Sequence, residues 1–172
     1  GSESDSVKRG SADIAALGIP SVEETAAQPA TLYEHLTFQI HCMGADALQA
    51  GLAERMVGWL DADGYLRTPL AEIATAEGVE PEALEAALAL IHGLDPAGVG
   101  ARDLRECLLI QLEHRHQRDS LAWRIIQEQF ELFAKRRPPQ LAARLKVPLA
   151  DIEEACRHIT HLDPKPARWR HG

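Results

Sequence analysis

Apolar positions recur along the chain at the three- and four-residue spacing of helices that bury one face. Leu32, Leu36, Gln39 and Ile40 share such a face, and Thr31 followed by Glu34 has the form of a reciprocal amino-terminal cap that opens the helix. The next stripe, Leu48, Leu52, Met56 and Leu60, predicts a second helix over about Ala45 to Leu60, ended by a turn at Asp61 to Gly64. Leu104, Cys107, Leu108, Gln111 and Leu112 point a third stripe inward and leave Arg105, Glu106 and Glu113 in water. Leu121 to Ala134 predicts a further helix. The pattern as a whole predicts an all-α chain of two helical lobes, residues 31–118 and 119–172, divided near Gln117 to Ser120 where polar residues interrupt the apolar spacing. Gly1 to Ala30 mixes Ser, Glu, Ala, Gln and Pro with little periodicity. It reads as a flexible acidic linker with at most a short ordered piece at Ile14 to Leu17.

The run from Asp95 to Leu112, DPAGVGARDLRECLLIQL, joins a shaped turn to a helix start. Pro96 fixes its own φ at about −65° and pushes Asp95 out of the helical region, so the preceding helix stops there. Gly98 and Gly100 admit positive φ or close backbone approach on either side of Val99. Asp103 and Glu106 again have the spacing of a cap, which starts a helix near Asp103.

Sliding the sequence against itself by 68 residues aligns Ile73 to Pro96 on Leu141 to Pro164 without gaps, and eight of those 24 positions are identical. The identities include Val79 with Val147, Glu85 with Glu153, and the closing Leu94, Asp95 and Pro96 with Leu162, Asp163 and Pro164. Each copy reads as a short helix, a tight turn and a longer helix, the spacing of a helix-turn-helix, with Gly78 at the first bend and Pro81 in a first helical turn. Helix-turn-helix character is thus expected in the second lobe and in part of the first.

Charge separates the two halves. Thr31 to Ala134 holds seven basic and seventeen acidic residues, whereas Lys135 to Gly172 holds nine and four, within a net charge of −8. An acidic middle opposes wrapping a phosphate backbone, and the basic end suits an acidic protein surface or proximity to DNA. Arg144, Lys146, Arg157, Lys165, Arg168 and Arg170 are the candidates for nucleic-acid proximity. Yet the positions that would face base edges at the start of each longer helix carry Glu80, Glu82 and Glu85 in one copy and Asp151, Glu153 and Glu154 in the other. Carboxylates there are repelled by phosphate, so packing or protein docking is the expected use of the unit.

Candidate chemistry is sparse. The DADG turn fails the calcium-loop pattern: with Gly64 at its sixth position, Trp59 would be first and Leu70 twelfth, so Asp61 and Gly64 read as a chain-reversing turn. Cys107 and His114 share a helix face, but no HExxH, HxxxH or paired CxxC completes a metal site. No GxSxG or phosphate-binding glycine loop occurs, and neither an enzyme nor a cofactor is expected. Cys42, Cys107 and Cys156 are odd in number and far apart, which reads as reduced thiols in a cytoplasmic protein, the last two in a core. A content of 45% hydrophobic residues with 5% aromatics implies an aliphatic core, and no signal peptide or apolar run of membrane-spanning length appears.

DPAGVGARDLRECLLIQL closely resembles the signature of the core-binding region of bacterial sigma-54 transcription factors. Three further pieces follow that family's order: LYEHLTFQI at Leu32 to Ile40, LDADGYL at Leu60 to Leu66, and LDPKP at Leu162 to Pro166. The resemblance covers roughly Thr31 to Pro166, and in the family an acidic, variable linker precedes it. It lacks the family's glutamine- and leucine-rich amino-terminal segment, which meets the activator, and its carboxy-terminal DNA-binding region. With Gly1 and Ser2 at its start and Trp169 to Gly172 at its end, the chain reads as an excised middle piece. The resemblance implies a fragment that holds a sigma factor on core RNA polymerase, for activator-dependent initiation at promoters. Promoter DNA would be bound through absent parts and kept closed until an ATP-dependent activator remodels it. The expected docking residues are His35, Gln39, Val99, Gly100, Arg102, Asp103 and Arg105; Asp61, Gly64, Asp95, Pro96 and Gly98 are expected to shape turns. The alternatives are a sequence-specific DNA-binding module using the basic second lobe and a stand-alone adaptor or anti-sigma protein.

Overall fold

The computed structural model describes residues 31–167. The expected linker over 1–30, with Ile14 to Leu17, lies outside the described residues, as do Arg168, Trp169 and Arg170. Among the described residues there are eight helices and no strand: α1 (Leu32–Cys42), α2 (Ala47–Val57), α3 (Leu70–Glu77), α4 (Pro81–His92), α5 (Leu104–His114), α6 (Leu121–Ala134), α7 (Pro138–Leu145) and α8 (Leu149–Thr160). A leading unit ends at Glu34 and a second begins at His35. None of these helices is long and apolar enough to cross a membrane.

The repeat read from the sequence is a repeat of structure. α3 and α7 have eight residues each, α4 and α8 twelve each, and each pair is offset by the same 68 residues. The bend is reproduced as well. Gly78 takes left-handed φ 70° and Lys146 takes φ 61°, and their N–H groups bond to the equivalent carbonyls of Ala74 and Ala142. Glycine reaches this conformation freely, whereas for Lys146 it costs about 1 kcal/mol, which the bonded turn must offset.

The correspondence extends to a helix the ungapped alignment did not include. α1 and α5 are both eleven residues long, and Leu36, Gln39 and Ile40 correspond to Leu108, Gln111 and Leu112. Each helix is also capped alike: the Glu34 N–H donates to Thr31 Oγ1 at 3.0 Å, and the Glu106 N–H donates to Asp103 Oδ1 at 2.8 Å. Glu34 completes its box by accepting the Thr31 N–H at 3.1 Å, whereas Glu106 reaches one residue further back and accepts the Arg102 N–H at 2.8 Å.

Burial follows the same plan. In the first half Leu36, Ile40, Leu52, Met56, Ile73, Leu84 and Ile91 are buried, with α4 packed on α2 and α3. In the second half Leu108, Leu109 and Leu112 of α5 join Ile125, Ile126, Leu141, Leu145, Ile152 and Ile159 of α6, α7 and α8. Two predicted stripes differ from those found. α2 is shorter than the predicted span from Ala45 to Leu60: Asp46 caps its start by accepting the Gln49 N–H at 2.9 Å, and Gly58 ends it with its N–H on the Arg55 carbonyl at 3.1 Å; Leu48 in its first turn is 86% exposed. In α5 Leu104 is 40% exposed, while Cys107 to Leu112 are buried without a break. Such a helix is covered on nearly every side. Leu108, Leu109 and Leu112 face the second-half core, and Cys107 and Ile110 pack with Tyr65 and Ala101.

Candidate functional site

The four sequence motifs converge in space on one hydrogen-bonded junction. In the LDADGYL turn, Asp61 Oδ1 accepts the N–H groups of Asp63 and Tyr65, each at 2.9 Å, and its carbonyl accepts the Gly64 N–H at 3.0 Å. This is the predicted Asx-type turn. Gly64 has φ 92°, and a Cβ there would lie 3.2 Å from the Ala167 nitrogen, so both its backbone angle and its neighbour favour glycine. The Gly64 carbonyl accepts the Gly100 N–H at 2.8 Å, and the Leu66 N–H donates to the Ala101 carbonyl at 2.8 Å. The closing motif arrives on the same turn, with the Ala167 N–H on the Asp63 carbonyl at 3.1 Å and the Tyr65 hydroxyl on the Pro164 carbonyl.

Two glutamines fasten the repeated Leu-Asp-Pro segments. Gln39 of α1 donates from Nε2 to the Asp95 carbonyl at 2.6 Å and accepts the Asp95 N–H at 2.9 Å. Gln111 of α5 makes the same two-point clasp on Asp163, accepting its N–H at 2.8 Å. A carboxamide offers a donor and an acceptor side by side, which is what one peptide unit's N–H and C=O require. The duplicated clasp was legible only as two polar residues on otherwise apolar helix faces.

The expected docking residues occupy different depths. Val99 is fully buried, and a Cβ on Gly100, whose φ is 85°, would come within 2.8 Å of Ile91 Cγ2. Asp103 is occupied as the cap of α5, and Gln39 as a clasp. His35 is half-buried on α1. Arg102 is exposed but held by Glu106, with guanidinium bonds at 3.0 and 2.8 Å. That pairing raises the Arg102 pKa; burial pushes the Glu106 carboxyl up, but the Arg102 bonds win and hold it below its ordinary value. Arg105 donates to the Gln127 carbonyl and to Gln127 Oε1, both at 3.0 Å, close to a break in α6 at Gln129. Asp95 and Pro96 lead into the turn, and Gly98 takes φ 101° with Cys107 Sγ 2.8 Å from where its Cβ would be. Burial raises the Cys107 thiol pKa.

Sequence spacing did not single out an exposed apolar edge around the α1–α2 connection. Phe38 is 68% exposed, Met43 44% and Leu48 86%. These three large apolar side chains, spaced five residues apart along the chain, are left in water. Of the basic candidates, Arg144, Lys146 and Arg157 are exposed and Lys165 is half-buried, with Arg144 donating to Gln129 Oε1 at 3.3 Å. Among the described residues no group of His, Cys, Asp and Glu is arranged to hold a metal ion.

Residues 21–171 match the family model described as the sigma-54 factor, core binding domain. The chain is 32% identical over 152 residues to an RNA polymerase sigma-54 factor from Acidithiobacillus ferridurans, covering 86% of the chain and 32% of that relative. It is 33% identical over 162 residues to one from Rhodobacter capsulatus, covering 93% and 36%. A third, from Bacillus subtilis (strain 168), is 32% identical over 136 residues, covering 79% and 31%. The chain thus spans about a third of the length of these curated relatives.

Proposed function

The chain belongs to the sigma-54 factor family through its core binding domain, and from that premise we propose that it is the part of such a factor that docks on core RNA polymerase for activator-dependent initiation. The observation that carries this reading is the family match over residues 21–171, joined to a surface suited to docking. Phe38, Met43 and Leu48 supply exposed apolar area at the α1–α2 connection. Removing apolar surface from water contributes about 25 cal/mol per Å², so a few such side chains can anchor a partner. Arg102 and Arg105 add guanidinium groups at and just before the start of α5, that of Arg102 paired with Glu106. Val99, Gly98, Gly100, Asp103, Asp61 and Gly64 then serve from beneath, by holding the junction in one shape, and Gln39 fixes α1 against it.

A rigid junction suits this role. A docking surface that is already shaped loses little conformational freedom on binding, so more of the contact energy appears as affinity. The promoter and the ATP-dependent activator are partners of the whole factor, reached through segments beyond this third of its length. Titrating the chain against purified core RNA polymerase, with promoter DNA in a separate titration, tests the reading. Saturable polymerase binding with weak, strongly salt-dependent DNA binding is expected; DNA binding without polymerase binding overturns it in favour of a DNA-reading module.

A further inference from the structure

An apolar groove of about 560 Å³ opens between α5, the carboxyl end of α6, α7 and α8. Leu104, Leu108, Leu141, Cys156, Ile159 and Leu162 line it, and the exposed Arg136, Arg137 and Thr160 complete its wall. The internal repeat supplies a counterpart. The 68-residue offset places Cys156, Ile159 and Thr160 on Leu88, Ile91 and His92 of the first copy. There the corresponding space is filled by the chain that follows the first Leu-Asp-Pro. A Cβ on Gly100 would lie 2.8 Å from Ile91 Cγ2, 3.3 Å from His92 Cδ2 and 3.6 Å from Leu88 Cδ1. The Gly100 carbonyl meets His92 Nε2 at 3.0 Å, and Val99 and Ala101 on either side are fully buried.

In the second copy the chain after Leu-Asp-Pro goes elsewhere. Its Pro166 and Ala167 lie against Gly64, and the Ala167 N–H bonds to the Asp63 carbonyl. The second groove is left without its counterpart segment among the described residues, and Cys156 in place of Leu88 makes it roomier. Its charge has changed as well. The residues equivalent to Arg136 and Arg137 are Thr68 and Pro69, which are neutral. Neither arginine has an ion-pair partner among the described residues, and Arg136 is held at φ 59° with its N–H on the Phe133 carbonyl at 3.0 Å.

We infer that this groove is a docking site for an extended segment of a partner protein, one that carries a small aliphatic residue with acidic residues beside it. The first copy shows the kind of backbone that fits: glycine and small aliphatic residues run over the long helix of the unit with no helix of their own. The two arginines set the charge, because carboxylates on the incoming segment would give them the ion-pair partners that no described residue supplies. The inference concerns residues other than Phe38, Met43 and Leu48 and does not rest on polymerase docking there.

The test uses the 172-residue chain and a fluorescent peptide copying residues 94–101, Leu-Asp-Pro-Ala-Gly-Val-Gly-Ala, with three glutamates added at its carboxyl end. Anisotropy should rise to saturation. Affinity should fall at least about tenfold when the glutamates become lysines, or when the chain carries Arg136→Glu with Arg137→Glu, both exposed positions that leave the core alone. Thr160→Trp, which fills the groove from an exposed position, should abolish binding while the helical circular dichroism stays unchanged. Absence of saturable binding, equal affinity for the two tails, or unchanged binding to Thr160→Trp overturns the inference. So does a concentration-dependent dimer in sedimentation that excludes the peptide, since the occupant would then be a second copy of this chain.

Discussion

At Gly100 a single methyl group would meet Ile91 Cγ2 at 2.8 Å while the backbone holds φ at 85°, so steric and conformational penalties fall on the same residue. Gly100→Ala should therefore lower the unfolding free energy by about 2–4 kcal/mol in urea titrations. Gly44 offers the contrast: its φ of 77° is similar, but a Cβ there has nothing within 4 Å. Gly44→Ala should cost only about 1 kcal/mol, and equal losses at the two sites would show that packing adds nothing at Gly100. Glu106 carries a charge-dependent share of stability. Its folded pKa lies below its ordinary 4.5, so the unfolded chain binds the proton more readily; the contribution is present above that value and is lost as pH falls through the folded one. Arg102 is half exposed, which limits the pair's worth to about 0.5 kcal/mol. Glu106→Gln should be less stable than the parent by that much near neutral pH, and the gap should close under acid; a constant gap would assign the effect to the cap alone.

Among the elements, the clasps make unequal demands. Gln111 is buried and serves both polar groups of the Asp163 peptide, so Gln111→Leu should cost about 1–3 kcal/mol, whereas Gln39→Leu, at a position water reaches, should cost less than half of that. Thermal unfolding of the two variants side by side checks the order. The elements themselves were readable where periodicity and punctuation agreed. Leu121 to Ala134 is found as α6, Pro81 sits in the first turn of α4, Gly78 makes its bend, and Thr31 with Glu34 closes its box. The resemblance to the sigma-54 core-binding region also holds, on the family match. The extension of the repeat to α1 and α5 stayed hidden for a definite reason. Its offset is 72 residues against 68 for the later helices, and an ungapped comparison cannot follow both. Leu48 and Leu104 were misplaced because a period says which residues share a face, not which end of that face the neighbouring helices reach. Most of the junction was legible as four motifs, and its local turn at Asp61 to Gly64 was too, but its long-range geometry was not, since bonds such as Gly100 to Gly64 span dozens of residues with no local signal.

On the scale of the whole molecule, a duplicated helical unit presents two different surfaces: an acidic first half with an exposed apolar edge, and a basic second half with an open groove. The docking account places polymerase on the first. Its most direct test is the affinity of core RNA polymerase for the chain and for a variant carrying Phe38→Asp with Leu48→Asp. Both residues are largely in water, so the substitutions should leave thermal stability within about 0.5 kcal/mol of the parent. The account predicts that the variant, folded as the parent is, binds polymerase at least about tenfold more weakly, the size expected when an apolar anchor is replaced by charge. Unchanged affinity in the folded variant would contradict it and move the docking surface away from the α1–α2 connection.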